Sequence, residues 1–541
     1  MKTAFLTVFK NHDRIVKSIN QRKNSKEQLN EGYLTTQVAF SYLKIERSLT
    51  MSEKSQWGSK LGFILASAGS AIGLGAVWKF PYMTAANGGG GGFLLVFLIS
   101  TILIGFPLLL AEFALGRNAG VSAIKTFGKL GNNQKYNFIG WIGAFALFIL
   151  LSFYSVIGGW ILVYLGIEIG RLFHLIGNGD YAQQFSSIIS NPVIALGAQA
   201  AFIFLNIFIV SHGVQKGIER ASKVMMPLLF IIFVIIIGRS LSLPNAMEGF
   251  VYFLKPVFSK LTSAGLLYAL GQSFFALSLG VTAMLTYASY LDKKTNLVQS
   301  GMSIVALNIS VSIMAGLAIF PAMSAFNIQS EGGPSLLFIV LPQLFDNMPF
   351  GTIFYILFLL LFLFATITSS VVMLEINVGN ITNQDNRKRA KWSMILGVLT
   401  FVFGIPSALS YGVMADVHIF GKTFFDAMDF LVSNLLMPFG ALCLSLFTGF
   451  IFKKALAMEE LHLDETPWKQ GLFQVWLFLL RFIIPIIIIV VFIAQFMYVK
   501  KGLENISQVF PFYGWLTINS RPCPSKVQAS TSLGKIKWLP F

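Results

Sequence analysis

Gly69 to Tyr82 reads GSAIGLGAVWKFPY, an apolar segment interrupted by glycines and closed by a proline, inside the first of many membrane-length hydrophobic runs. In hydrocarbon every peptide N–H and C=O must find a partner. Non-helical backbone at that depth therefore survives only where protein buries it or where it lines a polar cavity. The stretch is read as a helix built to be broken, with a binding site at the break.

The surrounding 541 residues are 55% hydrophobic and 12% charged, with 53 phenylalanines, far from the composition of an average soluble domain. The apolar runs recur along almost the whole chain and make it a polytopic membrane protein with one large helical bundle, in contact with the lipid bilayer. A net charge of +17 would raise nucleic acid as a partner of a soluble chain. Here the basic residues cluster in short connectors, so they read as topology signals and nucleic acid is set aside. Cys443 and Cys523 offer neither a disulfide framework nor metal-site spacing.

Eleven spans are expected: 61–80, 93–115, 138–172, 193–210, 221–238, 263–290, 297–326, 352–378, 392–409, 424–452 and 472–499. Lys and Arg are concentrated in alternate connectors, after spans two, four, six, eight and ten, whereas 83–92 and 327–351 contain none. The positive-inside rule then puts the N-terminus in the cytoplasm and, with eleven spans, the C-terminus outside a multi-pass plasma-membrane protein. Residues 1–50 read as a basic extension or a misassigned start before Met51. Residues 51–500 form the membrane domain, with repeats at about 57–240 and 262–452, and residues 501–541 read as a polar tail.

Span six carries a second break, GQSFFALSLG from Gly271, with Ser278, Leu279 and Gly280 midway along an apolar stretch. One such glycine alone reads more readily as a close helix contact. Two interrupted segments at equivalent places in two halves point to an inverted-repeat transporter with its site near the midplane. Half-helix N-termini there offer positive dipole ends to an anionic group, and unwound carbonyls offer oxygens to a cation.

Span eight adds ATITSS, Ala365 to Ser370, to that inventory. Hydroxyls in membrane helices usually bond back to their own carbonyls. Thr368 and Ser369 beside the Ala365 carbonyl nevertheless make an oxygen set without a carboxylate, which suits a monovalent hard cation, sodium first. Glu112, Glu375, Asp426 and Asp429 are costly in lipid and should face protein or water. Lys79 and Asp429, both expected near the outer side, read as a gate pair or as end-of-helix snorkelling. Tyr154 and Phe275 are core aromatics or a lid over a ligand.

Together GSAIGLGAVWKFPY, NGGG at Asn87 to Gly90, PLLLAEFALGR from Pro107, GQSFFALSLG, ATITSS and FFDAMDF from Phe424 resemble the neurotransmitter:sodium symporter family, over about Trp57 to the end of span eleven. The resemblance is to its bacterial, eleven-span branch. It implies an all-α polytopic membrane protein with an inverted 5+5 transmembrane-helix repeat, the leucine-transporter-like fold, plus one additional helix. It also implies a symporter that imports an amino acid or related small molecule by alternating access. A homodimer is an assembly compatible with it.

Residue by residue, the resemblance maps the second sodium site onto Gly69, Ile72, Ala365, Thr368 and Ser369. It maps the substrate onto Ser70, Ala71, Gly73, Gly75, Leu150, Tyr154, Phe275, Ser278, Val281 and Met373, with Tyr154 on a carboxylate and Phe275 as lid. Gly73 stands where amine transporters carry an Asp, as in members whose substrates bring their own carboxylate. The first sodium site is degraded: Ala76 and Ala276 replace an Asn and a Thr, leaving the Asn308 side chain and the Ala71 and Ala276 carbonyls. Coupling to one Na+ is expected.

Chloride is doubtful on the same grounds, because Phe97 and Ala276 replace a Tyr and a Thr while Gln272 and Ser312 match. Lys79 replaces the outer-gate Arg and loses its bidentate fork. Lys54 replaces the inner-gate Arg, whose Asp partner is Asn383 here, so the inner gate is expected to be weaker unless Asp385 substitutes. A ligand-binding, non-transporting sensor of the same fold is the alternative. An enzyme is not expected, since His174, His212 and His418 lack adjacent carboxylate or Cys partners in sequence.

Overall fold

A computed structural model describes residues 55–87, 89–177, 179–326 and 336–494. The N-terminal extension, the C-terminal tail and Lys54 lie outside the described residues. Among the described residues nine helices are long and apolar enough to cross a membrane, and Lys60–Ala71 with Gly75–Ala86 makes a tenth crossing bent by 49°. The sixth expected span comes in two pieces too short to cross alone, Ser263–Ala276 and Ala283–Ala288. Taking those pieces as one crossing gives the eleven read from the sequence.

The remaining spans are two, Gly91–Ala119; three, Gln134–Leu172; four, Pro192–Ser211; and five, Val214–Leu241. They continue with seven, Leu297–Ala325; eight, Gly351–Thr382; nine, Asn386–Leu409; ten, Phe424–Ile451; and eleven, Pro467–Ala494. Spans three and eight are the scaffold, with 83% and 78% of their most apolar windows buried, against 33% for spans five and eleven. Span five, span nine and span eleven turn large apolar side chains outward, among them Val234, Phe403 and Ile486. An apolar surface that extensive is tolerable against lipid and not against water. The all-helical expectation has one small exception, a two-residue hairpin pairing His418–Ile419 with Lys422–Thr423.

Local chemistry explains where span one starts and where it fails. The Ser59 Oγ accepts the Gly62 N–H at 3.0 Å, an N-cap that satisfies one orphan donor of the first turn. The helix then ends at Ala71, and after Ile72 to Leu74 the chain resumes as a wide turn from Gly75 to Lys79, with Pro81 in the first turn of the helix that follows. Pro81 has no N–H to give the turn before it, and the wider winding of Gly75–Lys79 just ahead of the proline accommodates that loss.

Span six breaks over Leu277 to Thr282, where Ser278, Gly280 and Thr282 have φ of 52°, 81° and 61°. Only glycine takes such angles without steric cost, and Gly280 also packs its backbone against Met437 and Ala441 of span ten. The N–H groups released by the break are gathered by one side chain. Glu112 of span two, fully buried, accepts from Gly280 N at 2.9 Å and Leu285 N at 3.0 Å. The carboxylate thus finds partners inside the protein, and the broken helix keeps its hydrogen bonds satisfied.

Candidate functional site

The two breaks lie side by side and are stitched together through side chains. Gln272 Nε2 donates to Gly75 O at 2.7 Å, and Ser278 Oγ donates to Ser70 O at 3.2 Å. Between them, against spans three and eight, lies a cavity whose walls include all ten expected substrate residues: Ser70, Ala71, Gly73, Gly75, Leu150, Tyr154, Phe275, Ser278, Val281 and Met373. Leu74, Leu147, Ala283, Ser369, Val372 and Met437 also line it, beyond the expected set. Leu147, Leu150 and Tyr154 fall on one face of span three, three or four residues apart, so that periodicity was a signal for Leu147. The cavity volume is ≈ 30 Å³, a closed arrangement that must widen to admit anything larger than water.

Tyr154 presents its hydroxyl to the break, where it accepts the Leu74 N–H at 3.3 Å. Gly73 fits there only because it lacks a side chain: a Cβ would stand 2.6 Å from that hydroxyl. The position can therefore carry no carboxylate without moving Tyr154 and Ser369. Phe275 forms part of the pocket wall, with Lys79 Nζ 4.3 Å from its ring centroid. Lys79 Nζ is also 3.8 Å from Asp429 Oδ1 and 3.4 Å from Ser433 Oγ, which donates to the same carboxylate at 2.7 Å. The expected gate pair is thus brought together, over the expected lid.

Where Ser369 reaches the pocket wall, oxygens of spans one and eight converge. Thr368 Oγ1 lies 3.1 Å from Gly69 O, 2.9 Å from Phe364 O and 3.1 Å from Ala365 O. Ser369 Oγ lies 2.9 Å from Gly69 O and 3.0 Å from Ser70 O. A hydroxyl has one proton and cannot serve three carbonyls, so this cluster carries more lone pairs than donors. An uncharged oxygen set with surplus lone pairs fits a monovalent hard cation. Ile72 is the buried residue at which the first half-helix ends, close to this cluster in sequence.

The other expected cation position is arranged differently. The carbonyls of Ala71 and Ala276, freed by the two breaks, both accept from one amide, Asn308 Nδ2, at 3.1 and 2.8 Å. Ala76 and Ala276 are fully buried and bring only methyl groups. Asn308 Oδ1 is buried without a hydrogen-bond partner. Of the residues considered for chloride, Gln272 is bonded to Gly75 O, Ser312 donates to Asn308 O at 3.1 Å, and Phe97 packs on Phe80 with 4.8 Å between ring centroids.

Whether Asp385 serves as the inner-gate partner turns on Lys54, which lies outside the described residues. Asp385 caps span nine by accepting the Arg387 N–H at 3.0 Å. Near it lies a buried ion pair of Glu375 with Arg389, joined by Tyr290, whose hydroxyl donates to Glu375 Oε1 at 3.0 Å. Arg389 also holds Ser55 Oγ at 2.5 Å and Asn386 Oδ1 at 3.2 Å. Trp57 Nε1 donates to Tyr287 O at 2.9 Å, and Glu219 of span five accepts from Gly58 N and Ser59 Oγ at 2.7 and 2.8 Å. The segment ahead of span one is thereby fastened to spans five, six, eight and nine. Sequence reasoning singled out Glu375 and missed Arg389, which sits in a run of basic residues that also reads as a topology signal.

Two broken helices meeting at a small, largely apolar pocket with a few polar groups inside a multi-pass bundle are the architecture of a membrane transporter. The family model for the sodium:neurotransmitter symporter family matches residues 54–171 and 186–519, and the chain belongs to that family. It is 51% identical over 445 residues to the uncharacterized sodium-dependent transporter YhdH of Bacillus subtilis (strain 168), covering 82% of this chain and 98% of the relative. It is 33% identical over 456 residues to an uncharacterized sodium-dependent transporter of Haemophilus influenzae, covering 82% of this chain and 98% of that one. The crystal structure of MhsT in complex with L-phenylalanine superposes with a TM-score of 0.75 at 40% identity, over 82% of this chain and 99% of that one. The chain is a sodium-dependent transporter with a small-molecule substrate, embedded in lipid.

Proposed function

We propose that the protein imports an amino acid, or a closely related molecule with its own carboxylate, coupled to one sodium ion bound at Gly69, Ile72, Ala365, Thr368 and Ser369. The observation that carries this reading is the contrast between the two cation positions. At one, hydroxyls and carbonyls converge with too few protons to go round. At the other, the buried Ala76 and Ala276 bring only methyl groups, and Asn308 is the one side-chain ligand left of the expected set.

Support for an amino acid comes from Gly73, which brings no carboxylate to the pocket, and from MhsT, whose crystal structure at 40% identity is a complex with L-phenylalanine. Tyr154 and the N–H groups at the break would hold the substrate carboxylate, and Leu147, Leu150, Val281 and Met373 would meet an apolar side chain. Opening of the Lys79–Asp429 side admits substrate, and release of the Glu375–Arg389 side lets it into the cell. The N-terminus is cytoplasmic in this scheme, in the plasma membrane, with a homodimer as a compatible assembly.

Uptake into proteoliposomes tests the reading. An inward sodium gradient should drive concentrative uptake of one or more apolar amino acids, and accumulation that is equal with and without the gradient would sink it.

A further inference from the structure

A second cavity, of ≈ 440 Å³, lies away from the substrate pocket, where the connector from span one to span two meets the segment between spans five and six. Its apolar walls are Met247, Val251, Tyr252 and Val257 over Gly89, and its charged members are Lys255, Lys260 and Glu248. The volume falls in the range of small-molecule sites, about 300–1,000 Å³.

The floor of this groove is fixed backbone. Gly90, at φ 45°, pairs with Pro256 in an isolated antiparallel bridge. A side chain at Gly90 or Gly91 would strike the backbone of Tyr252, Leu254 or Lys255, so glycine there lets the two segments touch.

The groove also opens onto a face that must contact lipid. The Cβ position of Gly92 points to Val257 O at 3.5 Å and Phe258 Cδ1 at 3.7 Å, so this side of span two lies beneath the groove. Residues three, seven and ten further along share that side of the helix. They are Leu95, Ile99 and Ile102, exposed at 37%, 48% and 53%, whereas Phe93, Leu94 and Phe97 on the other side are buried. On the groove itself Met247 is 63% exposed, and Val251 and Tyr252 are exposed as well. Lys255 and Lys260 are exposed beside them, two amines against the single carboxylate of Glu248.

We infer that this groove binds one phospholipid with an anionic headgroup. The phosphate lies against the Lys255 and Lys260 ammonium groups, and an acyl chain runs down the Leu95, Ile99 and Ile102 face. A soluble anion satisfies the lysines and leaves the apolar wall bare; a lipid covers both. The bound lipid bridges the connectors that leave one broken span and enter the other.

Native mass spectrometry of the full-length protein in mild detergent, titrated with phosphatidylglycerol or phosphatidylcholine, tests the assignment. Wild type should retain one phosphatidylglycerol in preference to phosphatidylcholine. The Lys255→Ala/Lys260→Ala variant should bind it roughly thirtyfold more weakly, at about fivefold for each lysine near an anionic headgroup. The corresponding double Arg variant should restore binding, which separates lost charge from a misfolded surface. Soluble glycerol-1-phosphate should fail to displace the lipid. Equal retention of the two lipids by wild type, wild-type affinity in the double Ala variant, or displacement by glycerol-1-phosphate would each overturn it.

Discussion

Glu375 of span eight and Arg389 of span nine form an ion pair with side chains 0% and 1% exposed, and the pair holds Ser55, a residue of the segment ahead of span one. A charge pair this deep stands or falls as a unit, because neither partner can turn to water.

Replacing Glu375 by Gln should therefore leave the guanidinium buried and unpaired, at a cost of about 3–5 kcal/mol. Thermal unfolding in detergent should show a clear loss of stability. The double variant Glu375→Gln/Arg389→Met should recover most of it, whereas additive losses would assign the stability to other contacts of each residue.

Thr368→Ala and Ser369→Ala each remove one oxygen from the convergent cluster. Losing a partner of a charged group costs about 1.5–3 kcal/mol, or roughly 10- to 150-fold in sodium affinity. Half-maximal sodium for uptake should rise accordingly, while lithium or proton gradients should not replace it. Unchanged sodium dependence in both variants would place the ion elsewhere.

Asn308→Ala strands the buried carbonyls of Ala71 and Ala276 and should cost about 1–3 kcal/mol for each group left unsatisfied. The variant Ala76→Asn/Ala276→Thr restores side-chain oxygens without touching Asn308. Sodium dependence of uptake should be hyperbolic in the wild type and become sigmoidal in that variant, since a Hill coefficient is bounded by the number of sites. Sigmoidal dependence in the wild type would show that a second ion binds despite the amide.

Lys79 is only partly buried and Asp429 more exposed still, at 17% and 39% of their side chains. Breaking the pair should change stability by no more than about 1 kcal/mol. Lys79→Met also removes the cation from the Phe275 ring and should raise the KM for substrate severalfold, and Lys79→Arg should keep it near wild type. A KM unmoved by Lys79→Met would separate this pair from closure over the lid.

Much of this was legible in the chain because the constraints are local. Gly69 to Tyr82 and Gly271 to Gly280 announce their breaks through composition, and the bilayer makes any such break conspicuous. The pocket residues of the substrate site followed from the family motifs around those breaks. What stayed hidden depends on pairings across the bundle. Glu112 could be recognised as costly, yet nothing in its own span says that its oxygens collect the N–H groups of span six. Arg389 looked like one more cytoplasmic charge until the fold turned it inward to Glu375. Asn308 was legible as a remaining ligand, and its donation to Ala71 and Ala276 was not, because the direction of an amide is decided by neighbours from two other helices.

The one-ion coupling proposed above, with the Asn308 amide resting on the ends of both broken helices, would also set a ceiling on work. With one ion carried per substrate, a tenfold sodium ratio supplies about 1.4 kcal/mol for each molecule moved, and the membrane potential adds about 2.3 kcal/mol per 100 mV for the single charge. A two-ion relative would draw twice that and could hold the square of the concentration ratio. Under that coupling each molecule moved would cost half as much ion pumping as in a two-ion relative.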